Sequence, residues 1–178
     1  MVSLQDISDD KYLKLYKIKS DLVDYETDTL TSSINFTHQN DDLFLGFEMS
    51  SHETLKDSYN DKYEYIFPDI LLDKTLVSDS EFGNIDFQSN LKVHNYDTNK
   101  VKKFLINDFD WKSKKYNLAS GFQGTLLGHV KNVNYETNNV DVYKSEPTSE
   151  MFGAVGLLSE IDLFKKVNNN SNHFFTPK

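Results

Sequence analysis

The chain has 178 residues, of which 38% are hydrophobic and 13% aromatic, and its net charge is −9, with lysine supplying all 19 basic residues. An acidic chain without arginine is a poor partner for a phosphate backbone, so nucleic acid is not an expected partner. The absence of cysteine excludes disulfides, thiolate metal sites and cysteine nucleophiles.

The length suits one domain, and we expect residues 1–178 to form a single segment of one domain. No apolar run reaches the ~18 residues that a membrane helix needs. The N-terminal residues show neither the basic nor the apolar region of a signal peptide. If the protein is exported, we therefore expect this chain to be an internal piece of a longer one.

The first predicted strand begins around Tyr12, alternates through Leu13 and Leu15, and ends near Tyr25. From Leu30 the alternation becomes regular, because successive strand residues point to opposite faces. One face carries Ile34 and Phe36, and the other carries Asn35, Thr37 and Gln39. The polar run that follows Gln39 predicts a tight turn into the next strand, which contains Leu43–Met49.

A strand beginning at Tyr63 changes phase after Pro68, where the apolar positions move to Ile70 and Leu72. Proline has no backbone N–H to donate to a ladder, so it disrupts a strand. A bulge or a local weakness in pairing is expected at Pro68.

The longest regular alternation runs from Asn84 to Tyr96. Its apolar wall consists of Ile85, Phe87, Leu91 and Val93. Its polar wall contains Gln88, Asn90, Lys92 and His94. The ribbon exceeds the usual five or six residues of a soluble strand, and its polar wall suits water or a polar ligand.

Further alternating segments lie at Phe104–Trp111, Phe122–Tyr135 and Met151–Leu163. Together the pattern predicts an all-β fold: an antiparallel meander of about nine long strands joined by polar links. Ribbons with one apolar and one polar wall are typical of a transmembrane β-barrel, of which this chain would form a part. The alternative is a soluble sandwich that binds saccharides, in which two apolar faces pack together. Four aromatic residues fit either the barrel's interfacial girdle or the sandwich core: Tyr63, Tyr65, Phe67 and Trp111.

Chemical signatures are sparse. The five histidines are scattered without the spacing of a metal site. Asp108 and Asp110 share a strand face, but an acid/base pair needs a partner and a cleft. No phosphate-binding glycine loop and no nucleophile elbow are present. We therefore predict no catalytic residues, no metal and no cofactor, and we expect that the protein is not an enzyme.

Several segments resemble the barrel of the lipopolysaccharide-assembly protein family LptD, also called organic solvent tolerance protein. The segments are Lys56–Lys74, with the step Phe67-Pro68-Asp69, Ser89–Lys100 and Phe152–Lys166, followed by His173 and Pro177. The resemblance implies an internal fragment of an outer-membrane β-barrel whose family inserts lipopolysaccharide into the outer leaflet. It also implies an LptE-like plug lipoprotein and a periplasmic LptA-like bridge as partners.

On this resemblance, the apolar walls would face lipid and the polar walls would face a wet lumen along the glycolipid path. The lipid-facing residues would be Ile34, Phe36, Ile85, Phe87, Leu91 and Val93. The lumen-facing residues would be Asn35, Thr37, Gln39, Gln88, Asn90, Lys92 and His94. The family's lateral gate is not expected in this segment.

Overall fold

One antiparallel sheet of nine strands carries most of the chain. The computed structural model describes residues 1–21, 23–56, 62–97, 99–118, 121–168, 171–175 and 177. The predicted all-β, antiparallel meander is confirmed. The elements are β1 (Val2–Ser3), α1 (Tyr12–Tyr16), β2 (Thr29–Gln39), β3 (Leu43–Thr54), β4 (Tyr63–Asp79), β5 (Gly83–Tyr96), β6 (Lys100–Lys112), β7 (Tyr116–Asn117), β8 (Phe122–Asn138), β9 (Thr148–Ile161), β10 (Leu163–Asn168) and β11 (Ser171–Phe175).

The seven long strands pair in sequence order, and each consecutive pair is antiparallel. They contain between 11 and 17 residues, so they exceed ordinary soluble strands. The strands end at two opposite sides of the sheet, which we name after the residues that bound β5. The Tyr96 end carries the links β3–β4, β5–β6 and β8–β9, and the Gly83 end carries the links β2–β3, β4–β5 and β6–β8.

Gly83 is fixed by geometry at the start of β5. Its φ is +88°, in the left-handed region that side chains disfavour, and a Cβ there would lie 2.1 Å from the carbonyl oxygen of Lys112. Only glycine permits this close approach of two backbones. The turn from β4 to β5 therefore depends on this residue.

Strand β4 is irregular where the sequence changes phase. The pairing of β4 shifts register between Ile66 and Asp69 on its β5 side, and opposite Glu48 and Ser50 on its β3 side. Pro68 lies inside this interval, and its peptide bond with Phe67 is cis. The bulge lets apolar residues before and after the proline lie on one face of the sheet.

The predicted first strand, from Tyr12 to about Tyr25, is wrong. Tyr12–Tyr16 form a helical turn that ends at Lys17, whose φ is +49°. Just before it, the Asp9 side chain accepts a hydrogen bond from the Lys11 amide at 2.8 Å and closes a local turn. Such local bonds compete with extended structure.

A small hydrophobic cluster lies at the Tyr96 end, where Leu13, Leu30 and Leu55 are buried. These three are the buried hydrophobic residues of the described chain. The whole chain exposes 12892 Å², whereas a compact monomer of this mass exposes about 8,900 Å². The nine-stranded sheet is thus a single layer with much of its apolar surface uncovered.

The remaining strands, β10 and β11, form a separate two-stranded sheet. The amide of Ile161, at the end of β9, donates to the carbonyl of Pro177 at 3.4 Å. Among the described residues, no helix is both long and apolar enough to cross a membrane.

Candidate functional site: the two faces of the sheet

The walls predicted from sequence lie on opposite faces of one sheet. We call the face that carries Ile85 and Phe87 the apolar face, and the face that carries Gln88 and Asn90 the polar face. Ladder partners place the β2 residues on the same two faces. Phe36 lies level with Leu91 through Phe47 and Ile70, and Asn35 lies level with Lys92 through Glu48 and Asp69.

The apolar face carries a band of hydrophobic side chains on all seven long strands. Many of them are exposed, including Phe36 on β2, Phe109 on β6 and Val155 on β9. We call this band the apolar belt. It consists of Ile34, Phe36, Leu45, Phe47, Met49, Ile70, Leu72, Ile85, Phe87, Leu91, Val93, Leu105, Phe109, Trp111, Leu126, Val130, Met151, Val155 and Leu157.

The belt runs diagonally across the strands. On β2, Phe36 lies level with Leu91 of β5 and Ile34 lies two residues nearer the Tyr96 end, whereas on β9 Val155 lies level with Ile85. From β2 to β9 the belt thus moves toward the Gly83 end by about one residue per strand. At ~3.4 Å per residue and ~4.8 Å between strands, this drift corresponds to a slope of roughly 35°.

Charged residues mark the margins of the belt on the same face. Lys74 borders it at the Gly83 side of β4, where it pairs with Phe87. Lys103 and Glu136 border it at the Tyr96 side of β6 and β8, and their charged groups form an ion pair of 3.1 Å. Charged residues therefore bound the belt at its Gly83 side on β4 and at its Tyr96 side on β6 and β8.

A chain of polar side chains crosses the belt on strands β5, β6, β8 and β9. The Ser89 hydroxyl donates to Asn107 at 2.8 Å, and the Asn107 amide donates to Asn132 at 3.3 Å. Asn132 also accepts from Asn134 at 2.5 Å and donates to the Ser149 hydroxyl at 3.3 Å. We call these five residues the amide ladder. Its members form hydrogen bonds with one another, and these bonds lower the free-energy cost of placing polar groups among apolar ones.

Ion pairs and amides cover the centre of the polar face. Lys92 contacts Asp69 at 3.0 Å, and the Asn90 amide donates to the same carboxylate at 3.1 Å. One step toward the Tyr96 end, His94 Nε2 lies 2.5 Å from a Glu64 oxygen. Three of the predicted polar-wall residues thus form the charged and polar contacts between β4 and β5 on this face.

A second network lies beside it on β6 and β8. His129 Nδ1 is 2.8 Å from Asp110. Asp108 lies between His129 Nε2, at 3.5 Å, and the Lys131 ammonium, at 3.3 Å, and only 15% of its side chain is exposed. Acids and bases alternate here, so the polar face attracts water and polar solutes without a strong charge of one sign.

No protein-family model and no curated protein matches the chain. The fold and the different polarity of its two faces are therefore the observations that bear on function.

Sequence reasoning found the walls of β2 and β5 but missed the groups that join them to other strands. The sequence places Asp108 and Asp110 on one strand face, but their partner His129 cannot be assigned without the β6–β8 register. The amide ladder was also missed, although Asn107 and Asn132 occupy apolar phases of their strands. An asparagine at such a position is the signal that would have found it.

Proposed function

We propose that this chain forms part of the wall of an outer-membrane β-barrel that assembles lipopolysaccharide in the outer leaflet, and that it catalyses no reaction. The apolar face meets lipid, and the polar face lines the wet lumen. An LptE-like plug lipoprotein and a periplasmic LptA-like bridge are its proposed partners. The observation that carries the proposal is the diagonal, exposed apolar belt.

The dimensions of the belt support this proposal. Barrel strands cross the membrane at about 35–45°, and a horizontal lipid boundary then appears as a diagonal on the ladder. The belt slopes by a similar angle. On β5 it extends from Ile85 to Val93, which is ~27 Å along the strand. At that tilt it spans roughly 21 Å of bilayer, close to the ~25 Å apolar band of such barrels.

The alternative is a soluble saccharide-binding sandwich. That architecture needs a second sheet packed over the apolar face. In the described part of the chain, the only other sheet is the short pair β10–β11. The exposed belt therefore favours lipid as the covering medium.

Trp111 supplies a direct test because it is the only tryptophan and lies in the belt. The chain is refolded into vesicles whose acyl chains carry bromine, which quenches nearby indoles. We expect strong quenching of Trp111 fluorescence and no folded, soluble form without detergent. A soluble chain with a cooperative unfolding transition and an unquenched Trp111 would overturn the membrane assignment.

The glycolipid route is tested separately with a photo-crosslinking residue at Asn90 or at Leu91. These neighbours lie on opposite faces of β5, so each serves as the control for the other. In vesicles that contain lipopolysaccharide, we expect a lipopolysaccharide adduct at Asn90 and mainly phospholipid adducts at Leu91. Equal lipopolysaccharide adducts at both positions would contradict transport along the polar face.

A further inference from the structure

An aromatic cluster lies at the Tyr96 end of the polar face, where β5, β6 and β8 meet the β8–β9 link. Phe104 and Tyr135 stack with ring centroids 5.8 Å apart. Tyr143, from the link, meets both rings edge-on, at 5.3 Å and 5.8 Å. His94 stacks on Tyr96 at 4.6 Å. We call these five residues, together with Lys102 and Glu64, the aromatic platform.

Lys102 joins the two groups of rings. Its ammonium lies 4.6 Å from the centroid of Tyr96 and 5.8 Å from that of Tyr143. The neighbouring lysines are paired with acids: Lys100 with Asp97 at 3.1 Å, and Lys103 with Glu136 at 3.1 Å. Within the described residues, no carboxylate forms an ion pair with Lys102. In a chain of net charge −9, the aromatic platform thus presents a cation that contacts two rings and has no ion-pair partner in the described part of the chain.

The surrounding groups provide hydrogen-bonding capacity. Glu64 holds His94 and also lines a neighbouring polar pocket of about 190 Å³. That pocket also contains His52, Lys56 and Lys62. Ring faces beside a few convergent polar groups are the usual make-up of a small-ligand site.

We propose that the aromatic platform binds an anionic saccharide. The carbon–hydrogen face of a sugar ring packs on Tyr143, its anionic substituent pairs with Lys102, and its hydroxyls bond to Glu64 and His94. Aromatic rings provide rigid apolar surface, and a charge-assisted bond adds orientation. This inference rests on the proposed function, and it assigns the place on the polar face where the saccharide part of a glycolipid would bind.

The test measures saccharide binding to the full chain in detergent micelles by calorimetry. The probes are glucose 6-phosphate, glucuronate, glucose and inorganic phosphate. We expect binding of at least one anionic sugar and weaker binding of glucose and of phosphate alone. The first two probes distinguish a phosphate from a carboxylate substituent. If phosphate bound as tightly as both anionic sugars, the aromatic rings would make no contribution to binding and the proposed site would be refuted.

Two variants probe the parts of the aromatic platform. Tyr143→Ser, in a link outside the strands, should weaken binding about five-fold, and Lys102→Gln about ten-fold. The matched controls are Tyr116→Ser and Lys114→Gln. Tyr116 is exposed to 40%, as is Tyr143, and the Lys114 ammonium lies 5.6 Å from its ring centroid, but both lie at the other end of the sheet. Equal losses in test and control variants would overturn the site.

The outcome is separable from that of the proposed function. If Trp111 is quenched by brominated lipid but no probe binds, the aromatic platform is not a saccharide site and the barrel assignment stands. If the chain is soluble and still binds an anionic sugar through Tyr143 and Lys102, the membrane assignment fails and the saccharide site stands.

Discussion

Replacing Phe109 with lysine tests which medium covers the apolar face. Phe109 lies within the belt on β6, its side chain is 42% exposed, and its ring packs 4.6 Å from that of Phe87. In a bilayer, a lysine near mid-depth costs ~2–4 kcal/mol. The lost ring contact adds ~0.5–1.5 kcal/mol. We expect the free energy of unfolding to fall by about 3–5 kcal/mol.

In water the same change is much milder. A half-exposed phenylalanine loses roughly 1 kcal/mol of burial together with the ring contact. Ile106→Lys is the matched control, because Ile106 lies three residues away on the polar face. We expect this control to lose no more than ~1–2 kcal/mol, since its lysine reaches the wet side of the sheet.

The assay is urea unfolding in phospholipid vesicles, followed by Trp111 fluorescence. A depth series adds Leu105→Lys, which lies nearer the belt margin marked by Lys103 and should cost less than Phe109→Lys. Lipid does not cover the apolar face if Phe109→Lys and Ile106→Lys lose the same free energy of unfolding. The same conclusion follows if Leu105→Lys loses as much as Phe109→Lys.

Three further predictions concern single positions. Gly83→Ala should destabilise the sheet by ~2–4 kcal/mol, because its backbone is left-handed and an added Cβ meets the Lys112 carbonyl. The comparison variant is Gly121→Ala, which is also left-handed but whose Cβ meets no neighbour, and equal unfolding curves for the two variants would refute the close approach. Asn132→Leu should lower stability in vesicles by ~1–3 kcal/mol despite its greater hydrophobicity, because amides are left unpaired, and a stabilised variant in urea titration would contradict this. The hydrogen bond from Lys14 lowers the pKa of Asp28, so its stabilising contribution is complete above the ordinary carboxylate pKa of ~3.9 and is lost as the pH falls through the lowered pKa. The protection factors of amide exchange in residues 13–21, corrected for the intrinsic rate at each pH, should therefore fall at acid pH in the parent chain and change less in Asp28→Asn.

Alternation was sufficient to predict the strands whose two faces differ in polarity. The predicted ribbon Asn84–Tyr96 differs from β5 by one residue, and the phase change at Pro68 corresponds to the register shift of β4. Both features are local, since they depend on which side each residue points. They can be read without knowing what the strand pairs with.

Two features needed information beyond local alternation. The segment around Leu13 alternates like a strand, but it follows a local turn at Asp9, forms a helical turn, and buries Leu13 against Leu30 and Leu55. The diagonal of the belt depends on relative heights, and these follow from pairing register that no single strand encodes. The same holds for the contacts of Lys102 with rings from two other segments.

The amide ladder has a consequence for how the strands find their partners. A slip of one residue turns a strand's apolar side chains to the other face, and so alternation alone rejects it. A slip of two residues keeps every side chain on its proper face, and alternation does not oppose it. Between β5 and β6 that slip would set Ser89 opposite Leu105 or Phe109, and it would leave the Asn107 amide without the Ser89 hydroxyl among hydrophobic neighbours. The amide ladder therefore constrains strand register during assembly, because it disfavours the two-residue slip that the hydrophobic pattern does not oppose.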